Sequence, residues 1–136
     1  MIEALSHITF IVSDLERMSN FLIAIFNAKE IYSSNGKEFS IPKEKFFSIN
    51  DLWIAIMEDD PVSKKSYNHV AFRVAESGFD KYVNRVQSLG VEVLKDRDRI
   101  DGEGRSIYFY DYDNHLFEIH TGLLNHRLKS YQNSEI

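Results

Sequence analysis

The chain reads as an α+β fold in which one pattern of elements is used twice. Three observations predict it. SHITFIV at 6–12 is echoed by NHVAFRV at 68–74, both rich in β-branched and aromatic residues and both with a histidine at the same place. A helix pattern follows each echo. Several short strands with turn residues between them follow each helix, which favours mainly antiparallel pairing over a parallel α/β sheet.

In the first half, Ser13 and Glu16 have capping-box spacing. Leu15, Met18, Phe21, Leu22, Ile25 and Phe26 then recur at helical intervals. Strands are expected over about 29–34, 37–41, 45–49 and 52–58, with turns at Asn35-Gly36 and Asn50-Asp51. The segment 59–66, which contains Pro61, links the halves. In the second half Ser77 is the cap candidate. Phe79, Tyr82, Val83, Val86 and Leu89 form the apolar stripe, and Gly90 ends the helix. Strands are expected over about 91–95, 105–111 and 115–120, with Gly102, Gly104 and Asp113-Asn114 at the turns. A last helix is expected over about 123–131, before a polar tail that frays. The 136 residues suit one domain, with a first module over about 1–60, a second over about 67–122 and the C-terminal helix after it.

Composition excludes several classes. Apolar residues make up 43% and charged residues 27%, as in soluble globular proteins. No apolar run approaches the roughly 18 residues of a membrane span. MIEALSHITF lacks the basic region and long apolar stretch of a signal peptide, so a cytoplasmic location without a membrane partner is expected. The absence of cysteine removes disulfides, thiolate ligands and a cysteine nucleophile. A net charge of −5 without a basic block gives no general attraction for nucleic acid. The densest charges, Lys95, Arg97, Arg99 and Arg105 interleaved with Asp96, Asp98, Asp101 and Glu103, read as a solvated loop.

Strand alternation sorts the polar residues. His7, Thr9 and Ile11 face one way, as do His69, Ala71 and Arg73, and Leu116, Glu118 and His120. The opposite faces are strongly apolar and suit a helix. His7, His69 and Glu118 therefore fall on the non-helix faces, where a curved sheet can gather them. Two neutral imidazoles and a carboxylate make a three-point site for a divalent metal with open positions. His120 is a rival ligand. His115 at a turn reads as a local hydrogen-bonding residue, and His126 as a surface one. Aligning LWIAI (52–56) with LFEIH (116–120) puts Ile54 where Glu118 stands, so the first half offers no fourth carboxylate, and three ligands suit catalysis better than a closed structural site. Ser106, Tyr108 and Tyr110 share a face, and Arg127 follows on the last helix. Together with the metal they suggest a small dianionic substrate. Glu44, in IPKEKFF (41–47), reads from composition as an exposed turn residue.

SHITFIV, YNHVAF and SIYFYDYDNHLFEIHTG with the arginine beyond it resemble the vicinal oxygen chelate superfamily. Within it they resemble the fosfomycin resistance proteins, most closely the FosX type, which are fosfomycin epoxide hydrolases. The likeness covers about 1–131. It implies a pair of βαβββ modules forming curved sheets around a metal-centred cavity. It implies His7, His69 and Glu118 as ligands of one manganese(II) ion per site. It implies Thr9, Ser106, Tyr108 and Arg127 around the phosphonate or oxirane of the antibiotic, and Trp53 and Tyr67 as aromatic neighbours of the cavity. It makes Glu44 the general base on water, against the reading from composition. It also implies a homodimer with exchanged modules, in which His7 joins His69 and Glu118 of the partner.

The implied reaction is metal-assisted addition of water to the fosfomycin epoxide. Two other readings stand beside it: transfer of glutathione or bacillithiol to the same epoxide, and a drug-binding protein without turnover. The stretch DRIDGEGRS (98–106) lacks the lysine and serine pattern of the potassium loop in glutathione-transferring relatives, since Asp98 and Gly102 stand at those places. Arg99 or Arg105 is left as the source of positive charge there.

Overall fold

The structure is a computed structural model that describes residues 1–34, 43–95 and 99–134. Its elements run β1 (His7–Val12), α1 (Leu15–Phe26), β2 (Lys29–Ser33), β3 (Glu44–Ile49), β4 (Leu52–Glu58), β5 (His69–Arg73), a 3₁₀ turn (Glu76–Gly78), α2 (Phe79–Leu89), β6 (Val93–Leu94), β7 (Ser106–Tyr110), β8 (Leu116–His120) and α3 (Leu124–Ser134). Strand, helix and three strands thus occur twice. The strand expected over 37–41 and the Asn35-Gly36 turn lie outside the described residues. No helix among the described residues is long and apolar enough to cross a membrane. The chain divides into two compact units, 1–65 with 111–115, and 66–110 with 116–136.

In the first unit the strand order is β1-β4-β3-β2, with β1 parallel to β4 and the other pairs antiparallel. The tight β3–β4 turn needs left-handed backbone at both central residues, and Asn50 and Asp51 supply it with φ of 46° and 67°. Helix α1 lies along β3 and β4. Its apolar stripe meets the alternate strand residues Phe47, Ile54 and Ile56, each fully buried with Phe21 and Ile25. Removing a ring such as that of Phe47 from this layer costs about 3–5 kcal/mol. The α1 cap differs from expectation. Asp14, not Ser13, is the N-cap, and its carboxylate accepts from Arg17 N at 3.0 Å. Ser13 is taken by the 111–115 turn, where Asp113 accepts from the Ser13 backbone N–H at 3.1 Å and its hydroxyl at 2.7 Å. His115 bonds locally as expected, through Nδ1 to Asp111 at 2.6 Å.

The second unit repeats the arrangement, with strand order β5-β8-β7-β6 and β5 parallel to β8. Helix α2 buries Phe79 and Val86 and ends at Gly90 with φ of 73°. Its start differs from expectation, because Ser77 lies inside the 3₁₀ turn and the N-cap position falls to Gly78, which has no side-chain cap. Helix α3 also runs past the expected end, as far as Ser134.

The register corrects one reading of the repeat. His7 pairs with Trp53 and His69 pairs with Leu116. Trp53 is therefore the counterpart of Leu116, and Ala55 that of Glu118, one place beyond the Ile54 expected. Ile54 is fully buried on the helix side of its sheet. LWIAI and LFEIH look alike by composition, but the strand pairing slides them by one residue. The first half still has no carboxylate at the matching place.

Candidate metal centre

In the second unit, pairing brings Ala71 beside Glu118 and Glu118 beside Tyr108, then Arg73 beside His120 and His120 beside Ser106. With period-two alternation, His69, Ser106, Tyr108, Glu118 and His120 share one face, as parity predicts. His69, Glu118 and His120 line, with Arg127 of α3, a cavity of about 330 Å³, and Ser106 and Tyr108 stand beside them on neighbouring β7. Glu118 is 5% exposed, so its charge requires compensation.

The two oxygens of Glu118 have different surroundings. Oε1 lies 3.1 Å from His69 Nε2. Oε2 accepts the Ser106 hydroxyl at 2.5 Å and lies 3.8 Å from Arg99 Nη2. His69 Nδ1 is 2.7 Å from the Tyr67 carbonyl. A carbonyl only accepts, so Nδ1 carries the hydrogen. In the neutral imidazole Nε2 then presents a lone pair, and it faces a carboxylate oxygen. Two acceptors in that position require a proton between them, on the ring or on the carboxyl, or a cation. A backbone carbonyl on the other ring nitrogen is the support that metal-ligating histidines use. Nitrogen and carboxylate donors suit a divalent ion.

His120, the rival ligand, has both ring nitrogens engaged. Arg127 Nη2 donates to its Nε2 at 3.3 Å, which leaves the Nδ1 hydrogen for Ser106 Oγ at 2.6 Å. Ser106 can then give its own hydrogen to Glu118, so one directional chain runs from Arg127 through His120 and Ser106 to the carboxylate. Burial pushes the His120 pKa down, helped by the Arg127 and Arg99 charges and opposed by Glu118. Both the hydrogen bonds and the field favour the neutral ring.

Tyr108 is buried between Tyr67 and His69, at ring distances of 5.8 and 5.3 Å. Burial raises its pKa, with its hydrogen bond to Tyr67 and the Glu118 charge acting the same way and Arg99 against them. The phenol therefore keeps its hydrogen. Arg99 Nη2 donates to its oxygen at 3.2 Å. Arg105 is elsewhere, bonded to Glu76 at 2.8 Å and Asp80 at 3.1 Å with its guanidinium over Phe79. Of the two arginines left open by the sequence, Arg99 stands at the candidate site. The reading of 95–105 as a solvated loop fails for Arg99, whose side chain is 10% exposed, and for Glu103, which is 2% exposed. Asp96, Arg97 and Asp98 lie outside the described residues. The signal for a folded loop was GEG (102–104), two glycines with left-handed backbone around a glutamate.

The other expected site residues stand on the first unit. Ser48, Trp53 and His7 form one row across the sheet, Phe46, Ala55 and Thr9 the next, and Glu44, Met57 and Ile11 a third. His7, Thr9, Trp53 and Glu44 thus share the face opposite α1. The His7 and Trp53 rings are 4.1 Å apart, and Ser6 Oγ is 2.9 Å from His7 Nδ1. Trp53 Nε1 is buried without a hydrogen-bond partner among the described residues. Glu44 is not a turn residue: it opens β3, is half-buried, and its backbone N–H donates to Ser34 Oγ at 3.1 Å. Among the described residues of one chain, no three His, Asp or Glu side chains converge as a metal site.

Residues 4–119 match the Glyoxalase/Bleomycin resistance protein/Dioxygenase superfamily. The chain is 58% identical over 131 residues to the fosfomycin resistance protein FosX of Listeria monocytogenes, covering 96% of this chain and 98% of that protein. It is 34% identical over 139 aligned positions to the metallothiol transferase FosB of Lysinibacillus sphaericus, covering 99% and 94%. A crystal structure of a Listeria monocytogenes FosX variant, complexed with Mn(II) and 1S,2S-dihydroxypropylphosphonic acid, superposes with a TM-score of 0.90 at 57% identity, covering 95% of this chain and 99% of that one. With its sheets, its repeated units and its sequence all in agreement, the chain belongs to the glyoxalase/bleomycin resistance superfamily and, within it, to the FosX fosfomycin resistance proteins.

Proposed function

We propose that the protein is a manganese-dependent hydrolase that adds water to the epoxide of fosfomycin and so removes its antibiotic activity. The observation that carries this reading is the meeting of His69 Nε2 and Glu118 Oε1 at 3.1 Å, at a cavity lined by Arg127 and with Arg99 3.8 Å from the other Glu118 oxygen. The relative that binds Mn(II) and a dihydroxypropylphosphonate, the diol expected of such hydration, supports the metal and the substrate together.

His69 and Glu118 hold the metal, with His7 as the third ligand. The exposed position of His7 at the start of β1 supports its delivery to a second copy, in a homodimer with exchanged modules. The same sheet face would bring Thr9, Trp53 and Glu44 with it. When bound, the metal supplies Lewis-acid polarisation of the epoxide. Ser106 keeps the Glu118 carboxylate turned toward the cavity, and His120 orients Ser106. Arg127, Arg99 and the Tyr108 hydroxyl fix the phosphonate, which sets the orientation of the epoxide before attack. Tyr67 walls the same side. Glu44 takes a proton from water as the water oxygen bonds to C1. The C1–O bond breaks, and the released oxygen takes up a proton from solvent while Glu44 gives its own back to solvent, which completes the diol and restores the carboxylate. The same reading places the reaction in the cytoplasm.

Phosphorus NMR of fosfomycin with protein and manganese, in the absence of any thiol, tests the proposal. Catalytic appearance of the diol phosphonate is expected. Conversion only when glutathione or bacillithiol is added would make the protein a thiol transferase. Protection of fosfomycin at one equivalent without product would make it a binding protein.

A further inference from the structure

We propose that the contact between Glu103 and Tyr131 is a latch that holds the Arg99 guanidinium beside Glu118, so that helix α3 positions Arg99 as well as its own Arg127, which lines the cavity. The inference rests on the reading of that cavity as the phosphonate site. It starts from a buried charge. Glu103 is 2% exposed, and a carboxylate so deep is tolerated only with both oxygens bonded. Oε1 accepts from Ile100 N at 3.0 Å, and Oε2 accepts from the Tyr131 hydroxyl at 3.0 Å. The Glu103 backbone N–H returns to the Ile100 carbonyl at 3.2 Å. Residues 100–103 therefore close on themselves immediately after Arg99, and the centre of that turn is tied to α3.

Other contacts bring the same segment against the helix and its approach. The Ser130 hydroxyl donates to the Asp101 carbonyl. Arg105 N donates to Thr121 Oγ1 at 2.9 Å, and Thr121 N to the Arg105 carbonyl at 3.0 Å. The glycines follow from this closeness. At Gly102, φ is +89° and a Cβ would lie 2.8 Å from Ser130 Cβ; at Gly104, φ is +78° and a Cβ would lie 2.6 Å from Gly122 N. Side chains fit at neither place.

Arg127 and Tyr131 are four residues apart on α3, so one helix face carries both. The helix presents Arg127 to the cavity and Tyr131 to the turn that follows Arg99. Its other apolar residues do little to hold it, with Leu124 69% and Leu128 54% exposed. The latch is thus the side-chain bond that, with the Ser130–Asp101 contact, joins the two guanidinium groups to one frame. Fixing them in advance lowers the ordering cost of binding an anion. Glu103 and Tyr131 are positioning residues and touch no substrate.

The test uses diol formation by the manganese-loaded protein together with trypsin cleavage of the metal-free protein after Arg99. Tyr131→Phe is the mild variant and Glu103→Leu the severe one. Each is expected to raise KM for fosfomycin about 3- to 10-fold, the size of one hydrogen bond, with kcat within about twofold and faster cleavage of the Arg99–Ile100 bond. Glu103→Gln, whose amide oxygen can keep the Ile100 N–H while its NH2 donates to the Tyr131 hydroxyl oxygen, is expected to restore most of the affinity. In the Arg99→Ala background neither variant should raise KM further, because no guanidinium is left to misplace. If Arg99→Ala itself leaves KM unchanged, the placement of the phosphonate at Arg99 is wrong. If Arg99→Ala raises KM and the latch variants add their full effect to it, the cavity reading stands and the latch is overturned. Unchanged KM and cleavage in Tyr131→Phe would overturn it as well.

Discussion

His69 Nε2 and Glu118 Oε1 face each other at 3.1 Å while the other ring nitrogen of His69 is committed to the Tyr67 carbonyl. On the proposed reading, that relationship gives the carboxylate in the buried strand LFEIH its use: Oε1, left without a donor by the His69 tautomer, serves a cation. Glu118→Gln brings no charge, and one face of the amide presents hydrogens. Manganese affinity is expected to fall by more than about 100-fold, the upper end of losses from altering a ligand's support alone, and turnover with it. His69→Ala should behave alike. Calorimetric titration of the metal checks both. His120→Ala should retain the metal, since its ring nitrogens serve Ser106 and Arg127. The reverse result, metal lost with His120 and kept without His69, would remove His69 from the site.

A site shared between copies makes a prediction that a site within one chain does not. His7→Ala and Glu118→Gln should each be inactive alone. Mixed and allowed to exchange subunits, they should regain activity. One site of each mixed dimer then combines His7 from one chain with Glu118 from the other, both unaltered. Random pairing of equal amounts should give about a quarter of the wild-type rate, because half of the dimers are mixed and each has one intact site. A mixture that stays inactive after exchange, shown by differently tagged chains, would rule out His7 as the partner's contribution.

Lys45 provides a test of stability away from the cavity. Its ammonium lies 2.8 Å from Glu16 and 2.9 Å from Glu30, and its side chain is 13% exposed. Its pKa is raised, first by the hydrogen bond to Glu16 and then by that to Glu30, with burial opposing. A raised lysine pKa means stabilisation that is complete below the ordinary value of 10.5 and lost as pH rises through the folded value. The glutamates are well exposed, so the pair is worth about 1 kcal/mol or less. Urea midpoints of wild type and Lys45→Met should therefore differ at pH 8, and the difference should shrink only as pH rises above 10.5 through the folded value. A difference independent of pH would assign the effect of Lys45 to packing of its stem.

The fold was legible because its signals were local. Two histidine-bearing strands, two amphipathic helices and the Asn50-Asp51 turn each state their conformation within a few residues. Parity alone grouped Ser106 with Tyr108 on one strand and Glu118 with His120 on another, and the β7–β8 register then joined the two groups on one face. What the sequence hid was pairing at a distance. Ser13 has capping-box spacing but bonds to Asp113, a hundred residues away, and Asp14 caps in its place. Ile54 aligned with Glu118 by eye, while the parallel register of β1 and β4 gives that place to Ala55. The charges of 95–105 alternate in sign as a solvated loop does. Yet Glu103 is buried by a tyrosine twenty-eight residues on, and Arg99 is drawn to Tyr108 and Glu118. Glu44 could be given a catalytic part only by resemblance, since no local pattern marks a general base.

On the proposed mechanism, Glu44 is the residue that decides between water and thiol as the nucleophile. It opens β3, pairs across to Met57, and shares its sheet face with Thr9 and His7. Its backbone is engaged with Ser34 in both directions, Glu44 N to Ser34 Oγ at 3.1 Å and Ser34 N to the Glu44 carbonyl at 3.0 Å. Glycine at that place would loosen the strand as well as remove the carboxylate, so Glu44→Gln is the cleaner substitution. The backbone bonds and the side-chain volume remain, and only the ability to take a proton is lost. Manganese and fosfomycin binding should be nearly unchanged, while diol formation should fall by roughly 10²-fold or more, as expected on loss of a general base. Thiol addition, if any is present, should be less affected, because a thiolate is already deprotonated when it attacks. Comparing diol formation by the two proteins at matched metal occupancy checks this. Equal rates would leave Glu44 as an ordinary edge-of-strand carboxylate and would require the proton from water to go elsewhere.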